Sequence, residues 1–204
     1  MPKMEIGPNQ PEVKELSPQE ALIKMVRETR TLGDRAPIYA EAEIEIRKFD
    51  PKELHPTALY LLESNMAFVQ KMHQELLSVG INDFQLDRVV KWGPYTVAPP
   101  IVEWQDGVWA IADGAHRVKN AVLMNEDQIS VVTIKGARAD RPFISYPVNW
   151  SEVKIYQSKP TEESALRKLR SGLVGQKDKM TNLFRDLSEL AGQPTRRKLA
   201  WQTA

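Results

Sequence analysis

Cysteine is absent from the 204 residues, and histidine occurs three times. Without cysteine the chain cannot form disulfides, a thiolate nucleophile or a cysteine-based zinc site. The three histidines do not cluster with acids, so no transition-metal site built by the protein is predicted. No apolar run approaches the length of about 18 residues that a membrane span requires, and the N-terminus lacks the apolar core of a signal peptide. We therefore expect a cytoplasmic protein with no resident metal and no membrane partner.

The chain also lacks an excess of either charge, since its net charge is +1. That balance hides an uneven distribution, because residues 158–204 hold ten Lys and Arg against five Asp and Glu. Amphipathic spacing predicts helices over 161–173 and 180–190. A basic helical extension of this kind is typical of a solvated helical face, and otherwise of a contact with nucleic acid or with an acidic partner.

The length predicts a single domain with appendages. We expect an N-terminal arm and helix over 1–36, a domain over 37–157, and the basic extension over 158–204. Residues 1–16 are predicted to be a loose arm. Ser17, Pro18 and Glu20 together are typical of a helix start, and Gly33 is the predicted stop.

Apolar spacing sets the order of elements within the domain. Residues 40–49 alternate apolar and charged side chains as a strand does, and 81–99 are predicted to be irregular. The remaining predictions are a helix over 65–77, a hairpin around Asp106-Gly107, a helix over 115–125 and a strand over 128–136.

The segment "DGAHR", residues 113–117, stands between the hairpin and the next helix. Gly114 allows a sharp turn, after which the backbone N–H groups of Ala115, His116 and Arg117 begin the helix. A helix N-terminus favours an anion, and an arginine fork matches two phosphate oxygens. Asp113 could accept a proton from a hydroxyl. The pattern indicates a phosphate site, although an ordinary capped turn has the same composition.

Order and motif together resemble the ParB/sulfiredoxin-like fold over about residues 40–136. The matching features are the helix "FVQKMHQELLSVGI", the strand "PPIVEW" and the turn "DGAHR" followed by "NA". In that fold a Gly-x-x-Arg-x-x-Ala segment binds nucleotide phosphate. Gly114 and Arg117 match it, while Asn120 stands at the place of the alanine and Ala121 follows it. The resemblance implies an α/β fold with a mixed sheet, and phosphate binding by residues 114–117 and Asn120.

Two branches of the fold fit poorly. Sulfiredoxins carry a reactive cysteine where this chain has Ala115. Chromosome-partition ParB proteins have an Arg-rich turn and further domains, whereas about seventy residues follow Ile134 here.

The form "D-G-x-H-R" is most similar to the free-serine kinases of this fold. That similarity implies a phosphotransferase acting on a small hydroxyl compound, with ATP or ADP (or CTP) as donor and Mg²⁺ arriving with the nucleotide. Asp113 and Glu53 would act on the hydroxyl.

A ParB-like nuclease group instead shows a Leu-x-Pro-Thr segment, which "LHPT" at 54–57 matches. Glu53, His55 and Thr57 are therefore alternative candidates for the side of the site that faces the turn. DNA binding or nuclease activity, and a non-catalytic nucleotide-binding module, remain alternatives to the kinase. A homodimer is compatible with each of them.

Overall fold

The computed structural model describes residues 13–17, 19–29, 37, 39–58, 60–105, 107–136 and 147–158. Over those ranges the helices are α1 (Gln19–Arg27), α2 (Glu63–Ser78) and α3 (Ala115–Leu123). The strands of the same ranges are β1 (Val13–Ser17), β2 (Glu43–Phe49), β3 (Leu54–Pro56), β4 (Tyr60–Leu62), β5 (Val89–Trp92), β6 (Tyr95–Val97), β7 (Ile101–Gln105), β8 (Val108–Asp113), β9 (Ile129–Lys135) and β10 (Lys154–Tyr156). The predicted α/β class is confirmed.

The central sheet has five strands in the order β2-β9-β7-β8-β3. β2 pairs antiparallel with β9, and β7 pairs antiparallel with β8. β7 and β9 run parallel, as do β3 and β8, so the sheet is mixed as expected. The parallel pairing of β3 with β8 brings the carboxyl ends of both strands to one edge, where ligands commonly bind in open α/β sheets.

The sheet is strongly curled. Only residues 50–53 connect Phe49, on one edge strand, to Leu54 on the other. A connection of that length spans at most about 17 Å, whereas five flat strands would place the edges about 19 Å apart. The Phe49 ring also lies 5.6 Å from the Trp109 ring of β8, edge to face. The two edges of the sheet therefore approach each other.

Each face of the sheet carries its own core. Leu22 and Val26 of α1 pack on one face, in a cluster that includes Ile101. The next residue along β7 points to the opposite face, where Val118 and Ala121 of α3 pack with a group of buried apolar side chains: Leu54, Val102, Ile111, Ile129 and Val131. This packing holds the start of α3 at the end of β8.

A second sheet, β1-β5-β6, shows two predictions to be wrong. Residues 1–16 are predicted to be a loose arm, but Val13–Ser17 forms β1 and pairs antiparallel with β5. Residues 81–99 are predicted to be irregular, but β5 and β6 form an antiparallel hairpin there. Its apolar side chains pack on α2, in a cluster with Val69, Met72 and Leu76. These strands depend on a partner distant in sequence, which local patterns do not reveal.

Most of the other described elements agree with the sequence to within a few residues, but α1 ends earlier than predicted and the short strands β3, β4 and β10 are not predicted. The predicted strand over 40–49, the helices over 65–77 and 115–125 and the hairpin after Ile101 are confirmed. α1 begins where predicted but ends at Arg27, before Gly33. The helices predicted over 161–173 and 180–190 lie outside the described residues. None of α1, α2 and α3 combines the length and apolar character that a membrane crossing needs.

Candidate functional site

The predicted strand-to-helix junction is confirmed at residues 113–115. β8 ends at Asp113, Gly114 adopts φ 88° and ψ 18°, and α3 begins at Ala115. The Val118 N–H donates to the Gly114 carbonyl at 3.0 Å, which closes the first turn of the helix. Glycine offers no side chain to cap the first N–H groups, and the positive end of the helix dipole lies at this turn. The turn has the form of an anion site.

Gly114 is also closely packed. A Cβ atom at this position would lie 2.9 Å from Pro100 Cβ and 3.0 Å from Arg117 Nη2. The missing side chain therefore lets the Arg117 guanidinium fold back over the start of its own helix. Sequence patterns did not single out Pro100, and the only signal was its place in "APPIVEW" directly before β7.

We expect Gly114→Ala to lower the free energy of unfolding by about 2–4 kcal/mol, because the left-handed conformation and the close contacts each cost about 1–2 kcal/mol or more. Urea denaturation measures the loss. Gly80→Ala is the matched control, since Gly80 has φ 83° and its Cβ would meet nothing within 4 Å. Equal losses in the two variants would contradict the packing account of Gly114.

Asp113 and Arg117 contact each other across the turn. Arg117 Nη2 lies 3.5 Å from Asp113 Oδ2, and the side chains are 14% and 23% exposed for Arg117 and Asp113 respectively. A strong charge-assisted hydrogen bond measures about 2.7–2.9 Å. This Nη2–Oδ2 contact is therefore longer than such a bond. A carboxylate and a guanidinium thus lie together beside the start of α3.

His116 and Asn120 extend the site along α3. His116 follows the turn directly and is partly buried. Asn120 comes one helical turn later and is 1% exposed. Residues four apart in a helix lie on one face, so both side chains line the same side of α3.

The segment "LHPT" runs beside the turn. His55 lies opposite Ala110 and Pro56 opposite Ile111 in the parallel pairing of β3 and β8. Thr57 Oγ1 donates to the Ile111 carbonyl at 2.8 Å. Thr57 therefore stands where β3 ends, next to the last residues of β8. Of the three residues proposed to face the turn, the structure thus places Thr57 beside it.

Glu53 lies elsewhere. It is exposed in the short 3₁₀ turn Pro51–Glu53 and precedes Leu54, which pairs with Trp109. Trp109 comes four residues before Asp113, a distance of about 13 Å along a strand. The structure thus does not bring Glu53 and Asp113 together as the serine-kinase resemblance implies.

Within the ranges described, no three acidic or histidine residues are arranged to hold a metal ion. Trp150, which is one of the five tryptophans, donates to the Pro51 carbonyl at 3.2 Å and lies under Lys119 Nζ at 5.3 Å. This tryptophan has a structural role beside α3.

Comparison with known proteins gives one family. The model of the ParB CE domain matches residues 21–154, which include the central sheet, α2, the turn and α3. No curated protein matches the chain. Among solved structures, the crystal structure of protein Atu1540 from Agrobacterium tumefaciens is similar at 14% identity, over 63% of this chain and 50% of that one, with a TM-score of 0.30. The chain thus spans about half the length of that protein, and so low a TM-score supports no further argument.

Proposed function

Because the chain belongs to the ParB CE domain family, we propose that its Asp113–Arg117 turn binds nucleotide phosphates and transfers one phosphoryl group to a small hydroxyl compound. The acceptor class follows from the serine-kinase resemblance of "DGAHR". ATP or ADP is the proposed phosphate donor, with CTP as an alternative donor, and Mg²⁺ accompanies the nucleotide. The ParB CE family match agrees with the fold on which this proposal depends. The phosphoryl transfer itself has to be tested by experiment.

One observation carries the phosphate part of the proposal. Gly114 places no side chain at the positive end of α3, and the Arg117 guanidinium lies close to it, 3.0 Å from where a Gly114 Cβ would stand. Backbone N–H groups, the helix dipole and a guanidinium fork then converge on one small volume. The anion that best matches this arrangement carries several oxygens, as a phosphate does.

The transfer step uses the carboxylate beside that volume. The acceptor hydroxyl oxygen forms a bond to the terminal phosphorus, and the bond from that phosphorus to the bridging oxygen breaks. The nucleotide leaves one phosphate shorter, and Asp113 takes the hydroxyl proton.

A thermal-shift series with ATP, ADP, AMP, CTP and GTP, each with and without Mg²⁺, tests the binding half. A ligand that binds only the folded protein raises its apparent stability with the logarithm of saturation. The nucleotide that raises the Tm is then incubated with small hydroxyl compounds, and ³¹P NMR detects a new phosphate ester. Absence of a Tm shift with all five nucleotides would overturn the proposal.

Nucleic-acid chemistry is the second candidate, and the position of Thr57 favours it. The "LHPT" segment of the nuclease-like resemblance lies at the turn, whereas Glu53 lies away from it. DNA binding that weakens steeply with salt, or Mg²⁺-dependent cleavage of DNA, would support this candidate. Loss of that binding on removal of residues 158–204 would assign it to the basic extension. Nucleotide binding without turnover of any acceptor would instead indicate a non-catalytic module.

A further inference from the structure

The side-chain amide of Asn120 lies buried in α3. Its exposure is 1%, and neither Oδ1 nor Nδ2 has a partner among the residues the structure describes. A buried amide that lacks its hydrogen bonds destabilises the folded state. Another buried polar side chain, Thr133, has a partner, because its hydroxyl donates to the Glu45 carbonyl at 3.1 Å. The buried amide of Asn120 therefore destabilises the free protein, and no hydrogen bond to the described residues compensates for that loss.

The place of Asn120 connects it to the turn. It follows His116 by four residues in α3, and helical side chains lean toward the N-terminus of their helix. The amide consequently leans toward His116. Packing does not require a polar side chain here, since Val118 and Ala121 are the residues that fix α3 to the sheet.

We propose that Asn120 is a positioning residue whose amide hydrogen-bonds the His116 imidazole when phosphate occupies the turn. An amide offers both a donor and an acceptor, so it can pair with either ring nitrogen. With one nitrogen held by Asn120, the other faces the phosphate in a fixed orientation. The bound state then supplies the hydrogen bonds that the free state lacks. This inference rests on the proposed function, because phosphate at the turn triggers the contact.

The first test measures the free protein. Asn120→Ala is expected to raise the Tm by about 2 °C or more, because removing an unsatisfied buried amide stabilises the fold. Asn120→Leu fills the space that alanine leaves and separates a cavity effect from loss of the amide. Asn65→Ala in α2 is the matched control for helix propensity, since Asn65 is only partly buried. Thr133→Val, which removes a satisfied hydroxyl, is expected to lower the Tm.

The second test measures binding and the imidazole. MgATP should bind Asn120→Ala about tenfold more weakly than the wild type, an effect typical of a residue that orients a ligand-binding side chain. The side-chain ¹⁵N signals of His116 should move on addition of MgATP in the wild type and not in Asn120→Ala. Of the other two histidines, His73 serves as the internal reference, because it is buried in α2 in contact with Asp83.

Each outcome decides a different point. A raised Tm together with weaker binding and a silent His116 signal supports the proposal. A lowered Tm in both Asn120 variants would show that the amide is hydrogen-bonded in the free protein and would overturn it. A raised Tm with unchanged affinity overturns the positioning role and leaves the nucleotide site intact. If the wild type binds no nucleotide, the proposed function fails and this inference fails with it.

Discussion

Arg117→Ala is expected to weaken nucleotide binding by about 100-fold or more, since a guanidinium that binds phosphate at two points contributes roughly 3 kcal/mol. The substitution also removes the positive charge beside the Asp113 carboxylate, whose negative charge then repels phosphate more strongly. Isothermal titration calorimetry with the nucleotide chosen by the thermal-shift series measures the change.

Two further variants separate charge from geometry. Arg117→Lys keeps the positive charge without the fork and should recover only part of the affinity. Arg47→Ala should change nothing, because Arg47 is exposed on β2 and pairs there with Glu45 at 3.4 Å. Wild-type affinity in Arg117→Ala would show that the nucleotide binds elsewhere on the protein.

Asp113→Asn is expected to reduce phosphoryl transfer by about 10²–10⁴-fold, the usual contribution of a general base. Nucleotide affinity should stay the same or increase, since the neutral amide competes less for Arg117. A coupled assay for the shortened nucleotide gives kcat, and calorimetry gives the affinity of the same sample.

Glu53→Gln is the control that distinguishes a site containing both Glu53 and Asp113 from a site containing Asp113 alone. The resemblance pairs Glu53 with Asp113, but the register of β3 and β8 places Glu53 at the remote end of β3. The structure therefore predicts wild-type transfer in this variant. A loss of transfer as large as that of Asp113→Asn would show that Glu53 reaches the acceptor. The pairing of β3 with β8 in the free protein would then not describe the position of Glu53 during catalysis.

Local signals explain what could be predicted from the sequence. The turn at Gly114 and helix α3 follow from a glycine between an apolar strand and a 3.6-residue apolar spacing. The hairpin of β7 and β8 follows from Asp106-Gly107 between two apolar runs. These features need only neighbours along the chain, and they position Asp113, His116 and Arg117.

Features that depend on distant partners could not be predicted. Strands β5 and β6 exist because their apolar residues meet α2, and the sequence of 81–99 shows only short runs broken by Gly93-Pro94. The choice between Glu53 and Thr57 depends on the register of β3 against β8, which are separated by more than fifty residues. The packing of Pro100 against Gly114 and the burial of Asn120 likewise arise only in three dimensions.

Nuclear magnetic resonance of the ¹⁵N-labelled full chain, titrated with MgATP, MgADP and MgCTP, tests the phosphate site most directly. The account predicts that the largest changes in backbone amide shift occur at Gly114, Ala115, His116 and Arg117, where N–H groups meet phosphate oxygens. Those changes should be absent in Arg117→Ala. Saturable shifts confined to other residues, or no shifts at all with any of the three nucleotides, would contradict the assignment of this turn as the nucleotide phosphate site.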